Sequence, residues 1–186
     1  NLIRAEAIDG RAVENNLAVI GIGKIGDIFG HKGLTEEIHT SDNSDGIKET
    51  IKYLKKDFSG IVFTNLVDFD MKFGHRNDIR GYADALERFD NSLPEILSSL
   101  KDTDILLITA DHGCDPTATG TNHTREYVPL LVYKNNQSFT KSLGTRRTFA
   151  DAGATIAEAL DMPRLKTGTS FWNEIIDFGD RWVGGR

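Results

Sequence analysis

The run Ile105-Leu106-Leu107-Ile108-Thr109-Ala110-Asp111-His112-Gly113 constrains this chain more than any other stretch. Its apolar part has the length of a buried strand. A carboxylate, an imidazole and a glycine then follow without a break. A strand that delivers Asp111 and His112 to its C-terminal end resembles a metal site at the rim of an open α/β sheet, where such sheets bind ligands. For these residues alone, a strand followed by an ordinary turn accounts for the pattern equally well.

The flanking chain supports an alternating α/β plan. Leu17–Ile22 reads as a strand ending in Gly21-Ile22-Gly23-Lys24-Ile25-Gly26. Glycines there would let Lys24 or backbone amides approach a phosphate. The spacing is neither that of a P-loop nor G-x-G-x-x-G, and a solvated loop lysine is the plainer account of Lys24. His31 and His39 lie in a polar loop and read as surface residues. Ile47, Ile51 and Leu54 follow helical spacing, with Ser44 or Asp45 as N-cap. Ile61–Val67 reads as a second strand. From Arg80 to about Leu100, Tyr82, Leu86, Phe89, Leu93, Ile96, Leu97 and Leu100 form one apolar stripe, read as core. Pro94 within it predicts a kink or a break. Val128–Tyr133 reads as a further strand, Thr148–Leu160 as a helix, and Asn173–Phe178 as a short final helix. Strands alternating with helices predict a mostly parallel, doubly wound sheet with helices on both faces. Residues 1–16 show no clear period and read as a linker or a remnant of an upstream region, so the organised domain is expected over residues 17–186.

Composition narrows the function. With 22 Lys and Arg against 28 Asp and Glu, the net charge of −6 argues against a nucleic-acid or membrane-surface partner. No apolar run approaches the ~20 residues of a membrane span. The single cysteine, Cys114, cannot form an internal disulfide, which fits a reducing, cytoplasmic setting.

Asp70 and His75 follow the second predicted strand, Asp111 and His112 the third, and His123 lies in the loop beyond it. This oxygen and nitrogen set, without thiolate, suits zinc or manganese better than calcium or an iron–sulfur centre. Five ligands exceed what one catalytic ion with an open position needs. They suit two ions roughly 3.5–4 Å apart, as in two-metal phosphoryl-transfer sites.

Three motifs resemble the alkaline phosphatase superfamily: Asp70-x-x-x-x-His75, then Thr109-Ala110-Asp111-His112-Gly113, then Thr121-Asn122-His123-Thr124-Arg125-Glu126-Tyr127-Val128-Pro129-Leu130. Within it the phosphopentomutase family is the nearest likeness. Gly23–Phe29, Val67–Asp70, Gly74–Arg76 and Gly168–Phe171 are similar to that family too. The Asp-His-Gly element marks only the superfamily, whereas the run from His123 to Pro129 is far more specific.

The resemblance implies an alkaline phosphatase-like core and two manganese ions, with zinc or magnesium as alternatives. Asp111 and His112 would hold one ion, and Asp70, His75 and His123 the other. Lys24 would bind the sugar phosphate. The implied reaction interconverts ribose 1-phosphate and ribose 5-phosphate, and the deoxyribose pair, through a phosphothreonine and a bisphosphate. Cys114 stands where the family carries Asn. The family's nucleophilic threonine, its first Asp ligand and its cap have no counterpart in residues 1–16. The expectation is therefore a C-terminal part that binds metal weakly and does not turn over alone, with no catalytic nucleophile of its own. A cofactor-independent phosphoglycerate mutase, phosphatase or phosphodiesterase of the same superfamily is the nearest alternative, although the Asp70-to-His75 spacing favours the pentomutase pattern. A non-catalytic α/β domain is the other, and it predicts no specific uptake of divalent metal.

Overall fold

A computed structural model describes residues 12–13, 15–136 and 140–176. Most of the unassigned N-terminal stretch, and residues 177–178 of the expected last helix, lie outside these. Strand β1, Ala18–Ile22, is central to a three-stranded parallel sheet. It pairs with β2, Glu36–Ile38, on one side and β3, Gly60–Thr64, on the other. Strands β4, Ile105–Thr109, and β5, Leu130–Lys134, form a separate antiparallel pair. The parallel sheet thus matches the expected plan, and the antiparallel pair stands apart from it.

The helices are α1, Ile25–Ile28; α2, Asn43–Leu54; α3, Ile79–Ser99; α4, Ala150–Ala159; and α5, Trp172–Ile175. Among the described residues, no helix is long and apolar enough to cross a membrane.

Successive residues of a strand point to opposite faces, and β1 uses both. Val19 packs with Ala157 and Met162 beside α4, while Ile20 and Ile22 pack with Tyr53 of α2. Helices therefore cover both faces of β1, and the strand is almost wholly buried. The run Gly168–Phe171 closes this layer. Thr155 Oγ1, buried in α4, accepts a hydrogen bond from the Phe171 N–H at 3.0 Å, and Asp151 Oδ1 accepts one from the Thr169 N–H at 2.8 Å.

Several boundaries differ from the sequence reading. The cap of α2 is Asp42, whose carboxylate accepts from the Asp45 N–H, rather than Ser44 or Asp45. Strand β3 stops at Thr64, and the chain then winds into a π-helical turn over Phe69–Phe73 and a 3-10 turn over Gly74–Arg76. Pro94 lies inside one unbroken helix. Strand β5 begins at Leu130, just past Pro129, which cannot donate to a ladder. Leu86 of the predicted core stripe is 50% exposed, because no described element covers that part of α3.

Candidate metal centre

Two turns build the site. The first follows β3. Asp70 sits in the π-helical turn and His75 in the 3-10 turn after it. Asn77, in the left-handed conformation, ends that turn before Asp78 caps α3. The second is the loop after β4, folded back so that the Thr124 N–H donates to the Gly113 carbonyl at 3.2 Å. The fold-back brings His123 to His112.

Asp70, His75 and His123 each place one ligand-type atom within 4.8 Å of the other two. His75 Nε2 lies 3.3 Å from Asp70 Oδ2, and His123 Nε2 lies 3.2 Å from Asp70 Oδ1. The His75 and His123 rings stack at 4.9 Å, and those of His112 and His123 at 3.6 Å. Asp111 is the outlier. It is exposed, and its carboxylate meets His112 Nε2 at 3.7 Å. The structure thus joins Asp70, His75, His123 and His112 directly and Asp111 through His112.

Proton placement sharpens the picture. His75 Nδ1 is 2.5 Å from the Thr121 carbonyl, and His112 Nδ1 is 3.0 Å from the Gly113 carbonyl. A carbonyl only accepts, so both rings carry their hydrogen on Nδ1. In the neutral ring, Nε2 then presents a lone pair, and each of these lone pairs faces a carboxylate. Asp70 Oδ1 is itself buried and has no hydrogen-bond partner among the described residues. Its distance to His123 is that of an ion pair, but the directions do not make a hydrogen bond. A buried acceptor without a donor is costly. The Asp70 carboxylate with His75 Nε2 and His123 Nε2 beside it is a donor set that a divalent cation satisfies, with the Thr121 carbonyl orienting the His75 ring as outer partners do in metal sites. The residues present therefore fit a metal ion.

A sequence profile described as the metalloenzyme superfamily matches residues 15–164. The chain belongs to this superfamily.

Among curated relatives, the metalloenzyme chain is 55% identical over 163 residues to the phosphopentomutase of Clostridium novyi, which covers 88% of this chain and 42% of that one. It is 54% identical over 165 residues to the phosphopentomutase of Acetivibrio thermocellus, covering 89% and 42%. The chain spans about two-fifths of the length of these relatives. Among solved structures, the PH0037 protein from Pyrococcus horikoshii superposes with a TM-score of 0.53 at 22% identity, over 66% of this chain and 34% of that one, a likeness of fold.

Other groups of the metalloenzyme site have structural roles that the sequence did not reveal. Asp68 is buried, accepts from the Asn43 N–H at 3.0 Å and pairs with Lys72 at 3.0 Å. Lys24 reaches Met71 Sδ, so its ammonium lies beside the turn that carries Asp70. Gly23 just before it has φ +81°, and a Cβ there would meet the Asn65 carbonyl at 2.4 Å. The loops after β1 and β3 can close together only because that side chain is missing.

Cys114 packs against Gly74, with the Tyr82 hydroxyl near its thiol. Burial pushes its thiol pKa up, with the carboxylates of Asp70 and Glu126 acting in the same direction. The thiol therefore stays neutral beside the metal cluster. The motif around His123 begins at Thr121, but nothing in it marks the Thr121 carbonyl that orients His75, because an anchor made by backbone leaves no side-chain signature.

Proposed function

We propose that this chain is the metal-binding part of a phosphopentomutase, interconverting ribose 1-phosphate and ribose 5-phosphate and their deoxyribose counterparts. The observation that carries the reading is the convergence of Asp70, His75 and His123, with His112 stacked on His123. Identity of 55% to a phosphopentomutase across most of the chain supports it. Asp70, His75 and His123 would hold one divalent cation, and Asp111 with His112 a second. Manganese is the proposed metal, with zinc or magnesium as alternatives on the same donor set. Bound there, the ions would supply Lewis-acid charge to the oxygens of an in-line phosphoryl transfer.

The chain's own residues orient and position. The Thr121 and Gly113 carbonyls fix the His75 and His112 rings with Nε2 facing inward. Lys24, a cation beside the turn that carries Asp70, would receive the sugar phosphate as a point charge. The threonine that carries the phosphoryl group belongs, in this reading, to the relatives' length that this chain does not span, so the chain alone binds metal without turnover. A reducing, cytoplasmic setting suits the one neutral thiol.

Titration calorimetry with manganese on the wild type and on Asp70→Ala, His123→Ala and His39→Ala tests the assignment. The first two variants should lose at least tenfold in affinity, and His39→Ala, an exposed residue of the polar loop, should match the wild type. Equal affinities across all four would refute it.

A further inference from the structure

The loop that brings His123 back to His112 is closed at its base through one hydroxyl. Gly113 and Thr124 form an isolated antiparallel bridge, one residue past His112 and one past His123. Thr124 adds two side-chain bonds to its backbone bond with Gly113. Its Oγ1 accepts from the Asp115 N–H at 2.7 Å and donates to Glu126 Oε2 at 2.5 Å. A hydroxyl has one hydrogen to give. The Glu126 carboxylate therefore decides where that hydrogen points and leaves the oxygen lone pairs for Asp115. A charged acceptor makes such a bond short and strong, and two bonds in line through one oxygen reinforce each other.

The bridge also sorts the side chains. Successive residues of an extended pair point to opposite faces. His112 and His123 are diagonal neighbours across the bridge and share one face, where their rings stack at 3.6 Å. Thr124 and Glu126 fall on the other face. Room for the carboxylate exists there because residue 113 is glycine: a Cβ on Gly113 would stand 2.6 Å from Glu126 Oε2. Glu126 is not a member of the group formed by Asp70, His75 and His123. It lies behind the histidines rather than among them. The middle of the loop has anchors of its own, from His75 to the Thr121 carbonyl and from Asn77 Nδ2 to the Ala118 carbonyl at 2.9 Å. What the Thr124 bonds hold is the base, where His112 and His123 meet.

We infer that Glu126 is a positioning residue for the metal centre. Acting through the Thr124 hydroxyl, it holds the fold-back that sets His123 over His112, and so keeps His123 Nε2 beside Asp70. The effect on metal affinity rests on the proposed metal site. The effect on the ring contact does not, since that contact is read on the metal-free chain.

The test compares this chain with Glu126→Ala, Glu126→Gln, Thr124→Val and Thr124→Ser, and with Glu158→Ala on α4 as control. Glu126 is exposed, so its truncation leaves the core untouched. Two readouts are taken: the nuclear Overhauser contact between the carbon-bound ring protons of His112 and His123, and manganese affinity by calorimetry. Glu126→Ala and Thr124→Val should lose most of the ring contact and bind manganese about fivefold more weakly. Glutamine and serine keep the acceptor and the hydroxyl, so Glu126→Gln, Thr124→Ser and the control should match the wild type in both. An unchanged ring contact or unchanged affinity in Glu126→Ala would overturn the inference while leaving the metal site standing. So would a Glu126→Gln variant as impaired as Glu126→Ala. If the wild type takes up no manganese, the metal reading fails, and the ring contact alone decides the role of Glu126.

Discussion

Asn43 and Asp68 hold each other by two reciprocal hydrogen bonds: the Asn43 N–H donates to Asp68 Oδ2 at 3.0 Å, and the Asp68 N–H donates to Asn43 Oδ1 at 2.9 Å. This clasp ties the start of α2 to the turn that presents Asp70. Asn43→Ala keeps the first bond and loses the second, leaving the Asp68 N–H without its acceptor. A loss of about 1–3 kcal/mol in urea unfolding is expected. Manganese affinity should fall with it, by up to about tenfold, because the turn is less fixed. Unchanged stability would show that the clasp contributes nothing.

Gly74 and Cys114 should couple. A Cβ on Gly74 would stand 2.5 Å from Cys114 Sγ and 3.1 Å from the Phe69 carbonyl. Gly74→Ala should cost about 1–3 kcal/mol as overpacking. Adding Cys114→Ala removes the nearer clash and should recover about half of that, a non-additivity that a double-mutant cycle measures. Strict additivity would place the strain elsewhere.

Thr155→Val should be worse than Thr155→Ser. The valine leaves the buried Phe171 N–H with no acceptor, at about 1–3 kcal/mol. Serine retains the oxygen. Chemical denaturation of the two variants checks the order, and equal losses would contradict it.

The His31 pair gives a pH dependence. Its hydrogen bond with Glu37 raises the imidazole pKa, aided by the charges of Glu37 and Asp27. A raised pKa in the folded chain contributes stability that is present below the unfolded value and lost as pH rises through the folded one. His31→Gln should therefore lower the urea midpoint at pH 5 and leave it unchanged at pH 9. The reverse pattern would show that the pair is not formed.

Much of this was legible in the sequence where side chains repeat a simple period. The apolar runs at Leu17–Ile22 and Ile105–Ile108 gave β1 and β4, and the spacing of Ile47, Ile51 and Leu54 gave α2. Boundaries were harder, because Asp42, Ser44 and Asp45 are all good caps and only the fold decides which carboxylate meets an N–H. Residues 65–67 continue the run read as a strand, but the chain leaves the sheet after Thr64 to bring Asp70 round to the cluster. Leu86 has the right spacing for core and stands open, since period says which face is apolar and not what covers it. At the centre, Asp70, His75, Asp111, His112 and His123 could be picked out by residue type and motif. The fold-back that stacks His123 on His112 depends on backbone bonds such as Thr124 to Gly113, which no side-chain pattern encodes.

The central claim is that these side chains gather around divalent metal. Crystals grown with manganese, measured at a wavelength where manganese scatters anomalously, test it most directly. The account predicts an anomalous peak within coordination distance of Asp70, His75 and His123, with a second, weaker one at Asp111 and His112. Well-ordered crystals with no peak at the first position, in manganese well above millimolar concentration, would contradict it.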